Sequence, residues 1–314
     1  MRSHRLLLTL TTGLSLTVGG ALGACLERLR KKNGSSLGFD IPPAIPTLEA
    51  SEKLVPSGVN VVPSEPMPGN RVAQIMRFGF PSMSNLRSYG NYILSYDQRT
   101  RCPNWVFEHL TPESLREKNA DRTSCSFEED PSIHAYFRAT DMDFKGSGYD
   151  RGHMAAAGNN LQSRKNLQET FYYTNVAPQI GVGFNRGIWN KLEKYVRSIA
   201  RRNKNVYVCT GPLYLPRTEA DGKLYVKYEI IGRNHIAVPT HFFKVVLIET
   251  ETGEFELLSF VLPNEAHPED AQLKYFLMNV EQIERASGLL FFDKLPHNQI
   301  KMINKQETKV RRWH

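Results

Sequence analysis

An imidazole, a guanidinium and a carboxylate stand within four residues in Asp150-Arg151-Gly152-His153. A phosphodiester that is to be cut by water needs three things: a base for the water, positive charge near the pentavalent transition state and help for the leaving oxygen. His153 is the candidate base. Arg151 reads equally as a phosphate contact or as an ion-pair partner within the fold, and Asp150 reads as structural. Taken alone the tetrad carries little, because a histidine is more often structural than catalytic. A later segment supplies a metal-binding candidate. Asn185 and Glu193 are eight residues apart. On one continuous helix they would lie about 80° apart, two turns from each other. A neutral amide near a carboxylate suits Mg²⁺, a hard ion that keeps most of its water. Asn185 would bind the metal directly and Glu193 would hold metal-bound water. Asn185 also reads as an ordinary helix N-cap.

These groups need a scaffold. From Val72 to Leu295 the pattern is mixed, without regular strand–helix alternation. Strands are expected at Ala73–Phe80, Tyr92–Tyr96, Trp105–His109, Val206–Thr210, Leu224–Ile230, His241–Ile248 and Phe255–Leu262. Short turn signals such as Asp221-Gly222 and Thr252-Gly253 join several of them, which favours an antiparallel sheet. One helix is expected from Asn185 to Arg202, where Ile188, Trp189, Leu192, Tyr195, Val196 and Ile199 recur at three- and four-residue steps. A second covers Ala271–Ala286 and stops at Gly288. The fold class is α+β, a central antiparallel β-sheet flanked by helices.

Of the net charge of +8, five belong to residues 1–32, where six basic residues face Glu27 alone. Charge by itself is therefore weak evidence that the folded part binds phosphates. The acid-free start and the apolar run Leu6–Leu26 read as a mitochondrial targeting segment, with sorting to the intermembrane space. A secretory signal, and membrane association through residues 6–26, are the competing readings. Residues 33–68 hold Pro42, Pro43, Pro46, Pro56, Pro63, Pro66 and Pro68 without helical or strand period, and read as a linker. The catalytic domain is expected at 69–300, followed by a basic tail at 301–314 that carries Lys309, Arg311 and Arg312. The cysteines Cys25, Cys102, Cys125 and Cys209 form no C-x-x-C pair and no zinc spacing. Cys102 and Cys209 read as buried thiols, and Cys125, in a polar stretch, as a candidate for redox response. Lys191, Lys194, Arg197, Arg201, Arg202 and Lys204 make a basic helix face, open to nucleic acid or merely to solvent.

The tetrad, Phe171–Gln179 and Phe184–Glu193 together resemble the DNA/RNA non-specific endonuclease family, of the ββα-metal (His-Me finger) fold. Further matching stretches are Asp143–Tyr149, Val206–Pro216, Val238–Val245 and Ile283–Leu289, and the resemblance extends from about residue 70 to 295. It implies a Mg²⁺-dependent endonuclease acting on DNA and RNA without sequence preference, with Mn²⁺ able to take the place of Mg²⁺. It implies in-line attack by water, 5′-phosphate and 3′-hydroxyl ends, and a homodimer. By the same resemblance His153 is the general base, Asn185 the sole direct protein ligand to the metal, and Glu193 the residue that orients metal-held water. Asn175 supports the site by hydrogen bonding, and Arg138 stabilises transition-state charge. Two departures from the family pattern stand out: Asn160 where relatives carry His, and an additional residue between Gln179 and Asn185. A mitochondrial exonuclease-like relative and a secreted scavenging nuclease are the alternatives. A binding protein without catalysis is disfavoured by the joint presence of His153, Asn185 and Glu193.

Overall fold

A period of two runs through the long apolar segments, and it decides the architecture. Along His241–Glu249, Phe242 and Val246 belong to one buried cluster, and Phe243, Val245 and Leu247 to another. Successive strand side chains point to opposite faces. Both faces are therefore covered, and the sheet is a middle layer. The strand Cys102–Leu110 divides in the same way, with Val106 on one side and Trp105 and Phe107 on the other. Each such side chain contributes on the order of 1.5–3 kcal/mol when fully buried. The computed structural model describes residues 62–66 and 69–308.

The principal strands are β1 (Leu86–Ser88), β2 (Tyr92–Asp97), β3 (Cys102–Leu110), β4 (Tyr149–His153), β5 (Val176–Ile180), β6 (Asn205–Leu213), β7 (His241–Glu249), β8 (Phe255–Pro263), β9 (Ile300–Ile303) and β10 (Gln306–Glu307). Eight of them form one sheet in the order β1-β2-β3-β6-β7-β8-β9-β10. All its pairings are antiparallel except β8 with β9. The strands β4 and β5 stand apart as a two-stranded antiparallel ribbon. The helices are α1 (Arg71–Ile75), α2 (Pro112–Arg116), α3 (Asp141–Phe144), α4 (Arg164–Glu169), α5 (Asn190–Ala200) and α6 (Val280–Ser287). Residues of the ribbon and α5, among them Val176, Ala177, Leu192 and Val196, share a core with Val106, Val208 and Phe242. On the opposite face Ile75 of α1 and Ile283 of α6 pack with Trp105, Phe107 and Val245.

The expected α+β class and central sheet are present, with several local corrections. Ala73–Phe80 is not a strand. The Asn70 side chain accepts from Ala73 N and starts α1 instead. Leu224–Ile230 holds only two short paired pieces, 224–225 and 230–231. The helix expected over 271–286 is broken: Asn279 caps a new start, and α6 ends at Gly288 in the left-handed region, the stop that the sequence places there. The helix expected over 185–202 is regular only from Asn190 to Ala200. Ahead of it Gly187 adopts φ −113° and ψ −111°, outside helical space, so Asn185 and Glu193 do not share one straight axis. The domain also runs past 300. Residues 300–303 and 306–307 pair into the sheet edge, so a basic tail can begin only after Thr308. At the other end, part of the proline-rich stretch is docked, because the Pro63 carbonyl accepts from Arg77 Nε at 3.0 Å and Nη2 at 2.9 Å. The targeting segment, Cys25 and the tail residues Lys309, Arg311 and Arg312 lie outside the described residues.

Candidate active site

His153 ends β4, opposite Val176 of β5. Its ring is 9% exposed and lies against Phe127 and Phe171, with centroids 5.2 and 4.8 Å away. The Nε2 atom is buried and has no protein hydrogen-bond partner. Burial, and secondarily the nearby Arg122 cation, hold the imidazole's pKa down to about 3. Both effects disfavour the charged form. His153 is therefore neutral at physiological pH, the state a base requires.

The backbone on either side of His153 is locked. Gly152 packs so closely on Gln179 that an added Cβ would sit 2.2 Å from its Cδ. Asn175 is fully buried. Its Oδ1 accepts from Ala155 N at 2.8 Å, and its Nδ2 donates to Ala155 O at 3.0 Å and Thr170 O at 2.9 Å. One amide thus clamps the chain two residues beyond the imidazole.

Asn185 is half-buried in the irregular segment ahead of α5. Its Nδ2 donates to Asp150 Oδ2 at 2.9 Å. An ionised carboxylate only accepts, so Asp150 turns the Asn185 oxygen the other way. Among the described residues no protein donor reaches that oxygen. Asp150 itself also accepts from Arg186 Nη1 at 2.8 Å. The structure thus gives Asp150 an orienting contact with Asn185.

Glu193 lies in the first turn of α5 with its side chain 17% exposed. Burial raises its pKa, against the opposing pull of Lys244, Arg197 and Arg122. Arg197 Nη1 stands 4.0 Å from Glu193 Oε2. No cluster of three His, Cys, Asp or Glu side chains stands ready for a metal among the described residues. A softer ion held by several protein ligands does not suit that donor set. A hydrated hard cation held by one free amide oxygen, with carboxylates nearby for its water, does.

The two remaining arginine candidates are committed to the fold. Arg151 pairs with Asp141, donates from its Nε to Tyr173 OH at 3.2 Å, and lies over Phe127 and Phe144 at 5.5 and 5.6 Å. Of its two open readings, the ion-pair partner is the one with contacts. Arg138 donates to Ile133 O at 2.7 Å and Pro131 O at 3.3 Å and stands 3.6 Å from Glu129. All these contacts go to the 129–133 loop, and none goes to His153, Asn185 or Glu193. The cation that the structure brings to His153 is Arg122. It is exposed, lies 5.7 Å from the centre of the Phe171 ring, and acts electrostatically on both His153 and Glu193.

The model of the DNA/RNA non-specific endonuclease family matches residues 71–298. The chain belongs to that family. It is 49% identical to Endonuclease G, mitochondrial, of Bos taurus over 282 residues, which cover 90% of this chain and 93% of that one. It is 55% identical to Endonuclease G, mitochondrial, of Homo sapiens over 218 residues, 69% of this chain and 73% of that one. A crystal structure of the EndoG/EndoGI complex matches it with a TM-score of 0.75 at 50% identity, covering 77% of this chain and 99% of the matched chain. The fold is that of a ββα-metal nuclease, and the protein is a mitochondrial nuclease that hydrolyses nucleic acid. The family is metal-dependent.

Within this endonuclease fold, sequence reasoning overlooked three residues. Arg122 stands in the polar stretch around Cys125, a half-exposed free thiol, and nothing in that stretch singles it out. Arg197 was one of six cations on a helix face, yet its side chain is only 13% exposed and faces Glu193, whereas Lys191, Lys194, Arg201, Arg202 and Lys204 are exposed. Glu108, 1% exposed, falls inside the expected strand Trp105–His109 with nothing to set it apart. Arg122 could have been found from its place five residues before an aromatic that walls the histidine. The other two depend on packing that no local pattern records. Asn160, the departure from the family pattern, is fully buried between Asn91 and Glu108.

Proposed function

We propose that this protein is a Mg²⁺-dependent endonuclease that cuts DNA and RNA without sequence preference, with His153 as the general base. The observation that carries this reading is the buried Nε2 of a neutral His153, free of protein partners and beside the Arg122 cation. Asn185 Oδ1 would hold the ion directly, and Glu193 would orient water around it. When bound, magnesium would supply charge neutralisation for the leaving 3′-oxygen.

The chain's own residues do the rest. The aromatic walls from Phe127 and Phe171 exclude solvent from one side of the imidazole, so its lone pair is not spent on bulk water. His153 Nε2 takes the proton of the attacking water, and the cleaved ends are 5′-phosphate and 3′-hydroxyl. Arg122 and Arg197 offer positive charge to the phosphoryl oxygens, which is where negative charge grows. Arg138 and Arg151 act on the fold that carries these groups. Contacts to phosphates rather than base edges make binding independent of sequence. We further assign the intermembrane space as the compartment, residues 1–32 as the import segment, and a homodimer as the assembly, on the family resemblance.

Plasmid relaxation and RNA digestion by the purified full-length protein test the reading. Activity should require Mg²⁺, be restored by Mn²⁺ after chelation, and fall by about 10²–10⁴-fold in His153→Ala. Cleavage that survives EDTA or the His153 change defeats the mechanism.

A further inference from the structure

Beneath the proposed site lies a buried carboxylate that the chemistry described so far leaves idle. Glu108 is on β3, two residues from Val106, which pairs with Thr210 of β6; Thr210 in turn pairs with Lys244 of β7. Residues two apart share a sheet face. Glu108, Thr210 and Lys244 therefore project from the face that packs against α5. Lys244 is 2% exposed, and its Nζ donates to Thr210 Oγ1 at 2.6 Å.

Glu108 Oε1 accepts from Asn159 Nδ2 at 3.0 Å and from Asn160 Nδ2 at 3.4 Å. Burial pushes the Glu108 carboxyl up to a pKa of about 7, yet Oε1, the atom both amides meet, is an acceptor in the ionised acid and in the acid protonated on its other oxygen, so each amide turns its NH₂ toward Glu108 and its oxygen away. For Asn159 the consequence reaches the site: its Oδ1 accepts from Arg197 Nη1 at 3.1 Å. The same guanidinium is pressed against the chain at Gly158, where an added Cβ would lie 3.2 Å from Nη1. For Asn160 the freed oxygen accepts from Asn91 Nδ2 at 2.9 Å, which anchors the far side of the network. An unpaired carboxylate in this place would be costly, and a well-packed apolar side chain would fill it at lower cost. A purely structural tie also does not require one amide to end on a cation beside Glu193.

We propose that Glu108 is a positioning residue for phosphodiester cleavage: acting through Asn159, it fixes the Arg197 guanidinium beside Glu193. This rests on the reading of Arg197 as a phosphate contact. The carboxylate selects one orientation of the Asn159 amide, and that orientation selects one placement of Arg197. Glutamine at 108 offers the two asparagines donors as well as an acceptor, so the selection is lost while side-chain volume is kept.

A double-mutant cycle on the full-length protein, reading kcat and KM for duplex DNA hydrolysis in Mg²⁺, tests this. Arg197→Ala comes first and should lower kcat; full activity in that variant removes the reading of Arg197, and the inference with it. Glu108→Gln should lower kcat about tenfold with KM little changed, a coupling of the size that neighbouring residues show. Added to Arg197→Ala, it should lower kcat less than about twofold further, since its route of action is gone. The same tenfold penalty in both backgrounds overturns the proposal while leaving Arg197 in place, as does a Glu108→Gln enzyme with unchanged kcat. Thermal unfolding of each variant checks folding. If Glu108→Gln does not fold, Asn159→Ser replaces it in the cycle, with non-additivity supporting the proposal and additivity overturning it.

Discussion

At the scale of single residues, the site is built from groups whose freedom has been removed by a neighbour. Asp150 turns Asn185, Asn175 clamps the chain after His153, and Phe127 and Phe171 enclose the imidazole. The depressed pKa of His153 has a sign that can be checked. The unfolded imidazole binds a proton near pH 6.5, whereas the folded one resists protonation down to about 3. The unfolded state therefore binds more protons in that window, and His153 contributes stability at neutral pH that is lost as pH falls from 6.5 toward 3. We expect an acid-side loss of stability that is smaller in His153→Gln, measured by chemical denaturation at pH 7 and pH 5. His153 should also show no titration above pH 5 by NMR. An imidazole that protonates near 6.5 in the folded protein contradicts the enclosure described. Asn185→Ala should abolish Mg²⁺-dependent cleavage while leaving the thermal midpoint nearly unchanged, because the lost amide is half exposed.

At the scale of elements, the ribbon of β4 and β5 sets the imidazole, and the irregular segment before α5 sets the amide. The ribbon permits no side chain at 152, since a Cβ there would collide with the fully buried Gln179. Gly152→Ala should therefore shift His153 and cost activity out of proportion to stability. A displacement of about 1 Å can lower kcat on the order of 10²-fold, and steady-state kinetics beside a thermal melt separate the two effects. Asn175→Ala removes three hydrogen bonds at a buried position and should cost about 1–3 kcal/mol for each backbone group left unsatisfied. Here the sequence was a good guide to the presence of elements and a poor guide to their interruptions. The apolar period over 188–199 correctly announces a helix, but Gly187 at non-helical angles is invisible to a periodicity count, because the residues on either side still fit the pattern. The ribbon strands were missed for a related reason: Tyr149–His153 carries polar side chains whose burial comes from the site, not from hydrophobicity.

At the scale of the whole molecule, the sheet separates two cores, and the ribbon and α5, which carry the proposed His153 and Glu193, pack into one of them. The opposite edge of the domain is tied to the segment that precedes it. Arg77, with its side chain 6% exposed, shares its guanidinium between the Pro63 carbonyl and Glu249. A chain beginning at residue 62 should match the parent in stability, whereas one beginning at 69 should lose about 1–3 kcal/mol through the unmet donors of Arg77; urea titration distinguishes them. Substrate binding is a whole-surface property as well. For the inactive His153→Ala protein on duplex DNA, affinity should fall linearly with salt on a log–log plot, by about 0.9 per phosphate contacted. Arg122→Ala in that background should reduce the slope by about one, as expected for a phosphate contact.

What the sequence determined by itself was the family of nuclease and the class of fold. His153, Asn185 and Glu193 stand out as candidates through a resemblance spread over several motifs, because the tetrad and the helix spacing each carry little alone; the long strands are legible from alternation between near neighbours in the chain. The tertiary structure alone decided which arginine reaches the histidine. Arg122 stands in a polar stretch and Arg138 after Tyr136 and Phe137, and neither setting tells which one approaches the imidazole. The first closes on Phe171 and His153 while the second is bound to its own loop. It likewise decided that Glu108, on an otherwise apolar strand, meets two asparagines and lies on the same sheet face as a buried lysine. That meeting follows from strand register across β3, β6 and β7, a long-range property that no window of neighbouring residues contains.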